Sequence, residues 1–212
     1  MKIVFNFAAF LLLLSLFWNC SSSTVDDQSL PFLGHHDIEN GDTTYHAIPS
    51  FQFVNQDSQA VTPQTFLGKA YVTDFFFTSC PTICPKVKKQ MMRIYDRYEE
   101  SDNLLLLSHS IDTKYDTVGR LKQYATNLGV GLPRWHFVTG NKADIFNITE
   151  EYMSIAYEDD EAPGGFNHSG WIILVDENKH IRSFCDGTDE EAVTAFFKDI
   201  DLLLAEMTEK SE

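Results

Sequence analysis

The sequence predicts an α/β fold in which a central mixed sheet is flanked by helices. Two apolar runs typical of buried strands, at 70–77 and 104–111, are each followed by a segment with helical spacing of apolar residues. The chain then ends in the pattern of a β-hairpin, at 171–185, and of a long amphipathic helix, at 190–207. Strands that alternate with helices before a closing hairpin and helix are typical of an α/β domain.

The folded domain is predicted to begin with two short strands. Aromatic and β-branched residues at 51–54 indicate the first of them, and 60–62 the second, with a polar turn between them. The run at 70–77 is short, aromatic and β-branched, as expected of a strand that is buried on both faces. Apolar residues recur at three- and four-residue spacing over 86–100, which predicts the first helix.

The middle of the chain repeats this order. The Leu-rich strand at 104–111 is followed by a predicted helix at 117–128, and a short strand at 135–138 by a predicted helix at 143–153. An acidic, Gly-rich stretch at 158–165 predicts a loop. The terminal hairpin is expected to pair residues 171–175 with residues 181–185 across a polar turn.

Composition sets limits on the class of protein. The chain has 212 residues, of which 43% are apolar and 17 are Phe, so it can bury a sizeable core without disulfides. Its formal net charge of −15 argues against nucleic-acid binding, which requires a basic surface to neutralise phosphates.

The first residues have the layout of an export signal. Residues 3–18 are almost wholly apolar, Lys2 precedes them, and Cys20 follows with a run of serines. This resembles a bacterial lipoprotein processing site with Cys20 as the lipid attachment residue. The bulky residues at 17–19 depart from that pattern, so an uncleaved membrane anchor stays open. Either alternative predicts a protein exported and anchored on the periplasmic side of a membrane.

Four segments are therefore expected along the chain. Residues 1–19 are the signal peptide or anchor, and 20–46, which are polar and without period, form a tether. Residues 47–208 form the α/β domain, and 209–212 are a tail.

Two cysteines lie where the strand at 70–77 gives way to the first helix. The N–H groups at a helix start favour thiolate over thiol, which makes Cys80 and Cys84 nucleophilic and good ligands for a soft metal. Pro85 disfavours helical backbone at Cys84, which suggests that Cys84 lies at the helix mouth. In an oxidising compartment the pair is also prone to form a disulfide, whose role could be only to pin the loop. A dithiol here, with the closing hairpin and helix, points to the thioredoxin architecture.

Two thiolates leave a metal site short of a ligand. Copper(I) accepts thiolate and imidazole and is stable at low coordination number, so a histidine from elsewhere is expected. His168 lies among glycines directly before the strand at 171–175, and in a thioredoxin-like fold the loop entering that strand faces the dithiol. The histidines that were weighed are His46, His109, His136, His168 and His180.

Three motifs resemble those of the Sco/SenC family of copper proteins. Residues 76–85 are similar to its cysteine motif, and residues 107–117 to its second signature, with Thr113 where proline is usual. Residues 167–169, followed by 173–176, are similar to its third, and the likeness extends over nearly the whole domain.

The resemblance implies a site, a fold and a function. It implies that Cys80, Cys84 and His168 are the copper ligands. It also implies a thioredoxin fold with extra N-terminal strands and an inserted loop or hairpin before the His168 strand. The implied function is delivery of copper to, or preparation of the thiols of, the copper site of cytochrome c oxidase. The partner is then the copper-site subunit of that oxidase or another copper chaperone.

Other residues near these motifs are ambiguous. Asp112 is a candidate to orient a ligand, while Asp116 is expected to cap the helix that begins near residue 117. Cys185 is expected to be a buried free thiol. The acidic run at 158–161 could guide a basic partner, although charge runs are usually solvated loops.

Two redox enzymes are alternatives to a copper-binding protein. As a thiol–disulfide oxidoreductase, the protein would attack with Cys80 and resolve with Cys84. The three-residue spacing between the cysteines, rather than the two of thioredoxins, argues against general reductase activity. A peroxide reductase would need an activating arginine, and nothing in the spacing of Arg134 or Arg182 marks either for that role.

Overall fold

The computed structural model describes residues 29–209. They form eleven strands and four α-helices, with a short 3₁₀ helix at Pro63–Phe66. In chain order these are β1 (His36–Glu39), β2 (Asp42–Tyr45), β3 (Phe53–Asn55), β4 (Ala60–Val61), β5 (Ala70–Phe76), α1 (Cys84–Arg97), β6 (Leu104–Ser110), α2 (Val118–Leu128), β7 (Trp135–Thr139), α3 (Lys142–Glu151), β8 (Ala156–Glu158), β9 (Phe166–His168), β10 (Trp171–Val175), β11 (Ile181–Asp186) and α4 (Glu190–Glu209).

Seven of the strands form one mixed sheet in the order β11-β10-β5-β6-β7-β3-β4. The central strands β5, β6 and β7 run parallel, whereas β10 and β11 on one side and β3 and β4 on the other are antiparallel to their neighbours. Every residue of β5, β6 and β7 is buried, which explains why these strands are mostly apolar and do not alternate between apolar and polar residues. The predicted α/β class with a central mixed sheet is confirmed.

The helices form where the sequence places apolar stripes. Helix α1 buries Val87, Met91 and Ile94, and α4 buries a longer stripe from Val193 to Met207. Helix α4 packs on β11 and also contacts α1. The dithiol helix is thus fixed between the sheet and the last helix of the chain.

The structure corrects the helix cap expected of Asp116. Helix α2 begins after Thr117, whose side chain accepts a hydrogen bond from the backbone N–H of Arg120. Asp116 is fully buried and bonds elsewhere, so the prediction that it caps this helix is wrong.

Two hairpins lie outside the main sheet. Strands β1 and β2 pair across Asn40 and Gly41, within the segment interpreted as a polar tether without regular structure. Strands β8 and β9 form a separate pair, and the latter contains His168, which the sequence analysis placed in a loop. The inserted hairpin implied by the family resemblance is therefore present.

The membrane-anchor predictions concern residues outside the described ones. The apolar segment at 3–18 and Cys20 both precede residue 29. Within 29–209, no helix combines the length and the apolar character that a membrane span needs.

Candidate metal centre

The two cysteines flank the turn that leads from β5 into α1. The backbone N–H of Cys80 donates to the carbonyl of Phe77 at 3.2 Å, which closes a turn directly after the strand. Cys84 is the first residue of α1 and Pro85 lies in its first turn, where a missing N–H costs the helix nothing. Both thiols are free and largely buried, with 9% of Cys80 and 3% of Cys84 exposed.

His168 is brought to this turn by the β8–β9 hairpin. It is the last residue of β9 and pairs with Ala156 of β8. The base of the hairpin is closed by Ser169, whose N–H donates to the carbonyl of Ile155 at 2.9 Å and whose hydroxyl bonds with that of Ser154 at 2.7 Å. The backbone that bears the imidazole is therefore held by both strands of the hairpin.

The three predicted ligands converge. One donor atom from each of Cys80, Cys84 and His168 lies within 4.8 Å of the other two, and no other such group of metal-ligating side chains occurs within residues 29–209. His168 Nε2 is 3.3 Å from Cys84 Sγ. These distances leave room for one ion to contact all three atoms after small side-chain adjustments.

The orientation of the imidazole is fixed from its other side. His168 Nδ1 lies 3.1 Å from the carbonyl oxygen of Ser169, which can only accept, so Nδ1 carries a hydrogen and donates it. Nε2 then faces the sulfurs, where it can offer its lone pair to a metal or, in the doubly protonated ring, donate to the Cys80 thiolate. This arrangement is typical of metal-binding histidines, whose second nitrogen is held by a carbonyl or carboxylate.

Aromatic packing sets the distance between the hairpin and the thiol turn. The ring of Phe77 lies edge-on to His168, with centroids 5.8 Å apart, and contacts Phe166 of β9 at 5.1 Å. Gly164 has a φ of +85°, and a Cβ atom added to it would lie 2.7 Å from Phe77 Cε2. Glycine at 164 therefore allows the hairpin to approach Phe77 this closely.

The two thiols differ in their acidity. Burial raises the pKa of Cys80, but hydrogen bonds with His168 and Cys84 and with the backbone of Thr82 and Cys84 outweigh it and lower the pKa to about 6. Burial raises the pKa of Cys84 well above its ordinary value. At neutral pH the metal-free site therefore holds one thiolate and one thiol, and a metal bound to both sulfurs must displace the Cys84 proton.

A buried ion pair lies beneath the thiol helix. Lys88 Nζ is 3.1 Å from Asp74 Oδ2 and donates to Ser108 Oγ at 3.1 Å, and it faces the ring of Phe76 at 4.4 Å. Lys88 also lines a cavity of about 400 Å³ that opens beside both cysteines. Phe77, Met92, Tyr124 and Leu128 contribute to its walls. The sulfurs are thus accessible from a side that His168 does not occupy.

The other predicted site residues lie outside the ligand group. Asp112 accepts a hydrogen bond from the backbone N–H of Tyr115 at 3.2 Å, so its observed bond closes a local turn. Its role in orienting a ligand stays a prediction. Cys185 is a buried free thiol, as predicted, and burial raises its pKa to about 12.

The remaining candidate histidines have structural contacts. His109 is buried among aromatic rings and bonds through Nδ1 with Thr73 Oγ1 at 3.2 Å. His136 bonds with the side chain of Asn55, His46 with the carbonyl of Glu151, and His180 with Asp176. Of the five candidate histidines, only His168 has a ring nitrogen within 4.8 Å of both cysteine sulfurs.

Sequence reasoning missed the residues that support the ligands. Phe77 and Gly164 decide how close the hairpin lies, and Asp116 bonds to Thr78, two residues before Cys80. A positive φ favours glycine, but no sequence pattern identifies the ring that a glycine approaches.

Comparison with known proteins agrees with this geometry. The family model described as SCO1/SenC matches residues 39–201. The SCO1 protein homolog of Bacillus subtilis (strain 168) is 31% identical over 161 residues, which cover 75% of this chain and 83% of the relative.

Two solved structures share the fold. BsSco, described as a member of the Sco family of cytochrome c oxidase assembly proteins, has a TM-score of 0.66 at 24% identity, covering 74% of this chain and 93% of that one. Arabidopsis thaliana ScoI with copper bound has a TM-score of 0.62 at 22% identity, covering 73% and 99%. The family-model match over residues 39–201 and the relative at 31% identity show that the chain belongs to the SCO1/SenC family of thioredoxin-like proteins.

Proposed function

We propose that this protein binds copper through Cys80, Cys84 and His168 and delivers it to the copper site of cytochrome c oxidase. The observation that supports the proposal is the convergence of two sulfurs and one oriented imidazole nitrogen within 4.8 Å. The structure of Arabidopsis ScoI with copper bound, and the description of BsSco as an oxidase assembly protein, support copper as the cargo and the oxidase as its destination.

The chemistry of the donors favours copper over harder cations. Thiolates and imidazole bind Cu(I) strongly, whereas Mg²⁺ and Ca²⁺ prefer oxygen ligands. Cys80, with its low pKa, offers a thiolate before metal arrives, and Cys84 loses its proton on binding. Both sulfurs must be reduced, so a disulfide between them would abolish the site.

Transfer to a partner would proceed by exchange of sulfur ligands. The cavity beside Cys80 and Cys84 would give a partner thiolate a path to the metal from a side that His168 does not line. The acceptor is then the copper-site subunit of the oxidase or another copper chaperone. The acidic run at 158–161 lies in the same hairpin as His168 and would attract a basic surface around that acceptor site.

The proposed location follows from the first twenty residues. An apolar segment at 3–18 followed by Cys20 supports export and anchoring on the periplasmic side, with Cys20 as the lipid attachment residue or the apolar segment as an uncleaved anchor. Residues 20–46 would then hold the domain away from the membrane surface.

The test of copper binding is replacement of the imidazole. His168→Ala should weaken Cu(I) binding and grossly alter the sulfur-to-copper charge-transfer spectrum of the Cu(II) form, because one of three ligands is lost. Affinity is measured by competition with a chromogenic Cu(I) chelator. His180→Ala is the matched control, since His180 bonds with Asp176 and lies outside the ligand group. Identical spectra for the wild type and His168→Ala would reject the assignment.

A second candidate function is thiol–disulfide exchange, favoured by the unequal acidity of the two thiols. The Cys80 thiolate would attack a disulfide sulfur of the substrate, forming a mixed disulfide and releasing the first substrate thiolate. Cys84 would then attack Cys80 Sγ, releasing the second thiolate and passing its proton to it. The substrate gains two electrons, and the Cys80–Cys84 pair is oxidised to a disulfide.

The two functions are separated by one variant. Disulfide exchange uses the sulfurs alone, so His168→Ala should retain stoichiometric reduction of a disulfide-bonded oxidase copper-site fragment while losing copper affinity. Cys84→Ser should trap the mixed disulfide, visible as a non-reducing gel band. If neither the His168→Ala variant nor the Cys84→Ser variant reacts with the fragment, the oxidoreductase function is excluded for that substrate.

A further inference from the structure

A buried carboxylate outside the ligand group holds the segment that bears Cys80. The side chain of Asp116 is 1% exposed, and both of its oxygens have partners. Oδ2 accepts from the backbone N–H of Thr78 at 2.9 Å and from the hydroxyl of Ser110 at 2.6 Å. Oδ1 accepts from the hydroxyl of Thr78 and lies 3.3 Å from Arg120 Nε.

Through the neighbours of Thr78, these bonds affect both the turn that bears Cys80 and the position of the His168 ring. Cys80 is two residues after Thr78, in the turn that its N–H closes onto the carbonyl of Phe77. Phe77 directly precedes Thr78, and its ring contacts His168. Fixing Thr78 therefore fixes both the turn that presents the Cys80 sulfur and the ring against which the imidazole rests.

The charge of Asp116 is compensated within the same cluster. Arg120 pairs with the carboxylate and also donates through Nε to Thr78 Oγ1 at 2.6 Å. Without the carboxylate, the half-buried Thr78 N–H and the buried Ser110 hydroxyl would lose their acceptor, and a buried polar group without a partner forces local rearrangement. Ser110 is fixed in β6, which pairs with β5 within the sheet, so the segment free to rearrange is the short turn at 77–80 that follows β5.

We propose that Asp116 is a positioning residue for the metal centre. It holds the turn at 77–80 so that the two sulfurs and the imidazole nitrogen share one ion. The inference rests on the proposed copper function for its metal readout, and it also predicts an effect on the metal-free thiol pair.

The first experiment compares two buried carboxylates. Asp116→Asn should bind Cu(I) about tenfold more weakly than the wild type and shift the charge-transfer bands of the Cu(II) form, since loss of supporting bonds around ligands has effects of that size. The control is Asp176→Asn, because Asp176 is also buried and accepts from the backbone N–H groups of Asn178 and His180 in the turn between β10 and β11. Asp176→Asn should lower the melting temperature but leave the copper affinity and spectrum unchanged.

A pair of variants at Thr78 keeps the proposal testable if Asp116→Asn does not fold. Thr78→Val removes the hydroxyl that joins Asp116 and Arg120, whereas Thr78→Ser retains it. Thr78→Val should weaken Cu(I) binding in the same direction as Asp116→Asn, and Thr78→Ser should restore the wild-type value.

The metal-free protein separates failure of this inference from failure of the copper function. The equilibrium constant for Cys80–Cys84 disulfide formation against glutathione should fall in Asp116→Asn, because the two thiols are held together less effectively. If the wild type bound no copper, the copper function would be refuted and this constant would still decide the role of Asp116. A constant equal to that of the wild type overturns the inference, as does unchanged copper affinity in a wild type that binds copper.

Discussion

Cys80 and Cys84 are chemically different thiols although they lie four positions apart. Cys80 interacts with His168 and with backbone donors of its own turn, which lower its pKa to about 6, whereas burial raises the pKa of Cys84. Cys185 is buried on β11 without such partners, and its pKa is raised to about 12. Of the three thiols within residues 29–209, Cys80 is therefore the nucleophile at neutral pH.

This difference predicts the pH dependence of thiol alkylation. In the reduced, metal-free protein, the rate of reaction of Cys80 with iodoacetamide should rise as pH increases through about 6 and level off above it, because the thiolate is the reacting form. His168→Ala should move the midpoint towards higher pH, since an interaction that lowers the pKa is lost. The rate is followed by mass spectrometry of the labelled peptide.

Cys185→Ser provides the control for that measurement and should leave the profile unchanged. A midpoint near the ordinary thiol value of 9.0 in the wild type would contradict the assignment of Cys80 as the activated thiol.

At the scale of elements, the β8–β9 hairpin decides whether the third ligand reaches the sulfurs. Gly164 and Gly165 are adjacent, and both have a φ of +85°. They differ in surroundings, because a Cβ at 164 would overlap the ring of Phe77 while a Cβ at 165 would meet no atom within 4 Å. Comparing alanine substitutions at the two positions therefore distinguishes the effect of backbone strain from the effect of displacing the hairpin.

Gly164→Ala should disturb the metal centre more than Gly165→Ala. Both variants incur the strain of a left-handed conformation, about 1 kcal/mol of folding free energy. Only Gly164→Ala must also push the hairpin from Phe77, so it alone should weaken Cu(I) affinity and broaden the Cu(II) charge-transfer bands. Equal copper affinities for the two variants would show that the contact with Phe77 does not position His168.

Most elements were predictable because their periodicity is strong. The strands at 70–77 and 104–111 are marked by their short length and their β-branched, aromatic or Leu-rich composition, and the helices after them by their periodicity; the observed bounds differ by a few residues. Strands β8 and β9 have three residues each, which is too short for any alternation to be recognised. Their existence followed only from the family resemblance.

The β1–β2 hairpin is marked in the sequence only by its turn residues. Asn40 and Gly41 have φ values of 53° and 91°, the left-handed conformations of a type I′ turn, and this dipeptide favours such turns. The strands it joins are exposed along their whole length, so no apolar alternation marked them. The role of residues 20–46 as a tether stays a prediction.

The site itself was predictable in part. The cysteine pair was evident from its place between a strand and a helix, but sequence position left five histidines to weigh, and the family motif selected His168. Asp116 was wrongly predicted to cap α2, because an aspartate just before a helix fits both a cap and a buried acceptor. Which of these two roles the aspartate takes depends on the loop that the fold brings near it, and here that loop contains Thr78.

For the whole molecule, metal binding is coupled to folding. Cys84 and His168 are 84 positions apart, so their donor atoms meet only when the sheet, α1 and the hairpin are assembled. A metal held by all three ligands binds the folded state and not the unfolded chain in this geometry. It should therefore stabilise the fold by mass action.

Loading with Cu(I) should raise the melting temperature of the reduced protein. At a free copper concentration 100 times the dissociation constant, the gain is about 2.7 kcal/mol in the free energy of unfolding. The shift should be smaller in His168→Ala and absent after oxidation of Cys80 and Cys84 to a disulfide, which removes both sulfur ligands. Calorimetry under anaerobic conditions measures it, and an equal shift in the oxidised protein would place the copper elsewhere.

Because the β8–β9 pair is separate from the seven-stranded sheet, the hairpin that bears His168 can move relative to that sheet, which matters for the proposed release of copper. The imidazole can swing outwards without breaking any backbone bond of the large sheet, while the sulfurs stay anchored at the start of α1. Release of copper would then begin with a hinge movement of the β8–β9 hairpin. Cys80 and Cys84 would then still bind the copper until a thiolate of the partner replaces the imidazole.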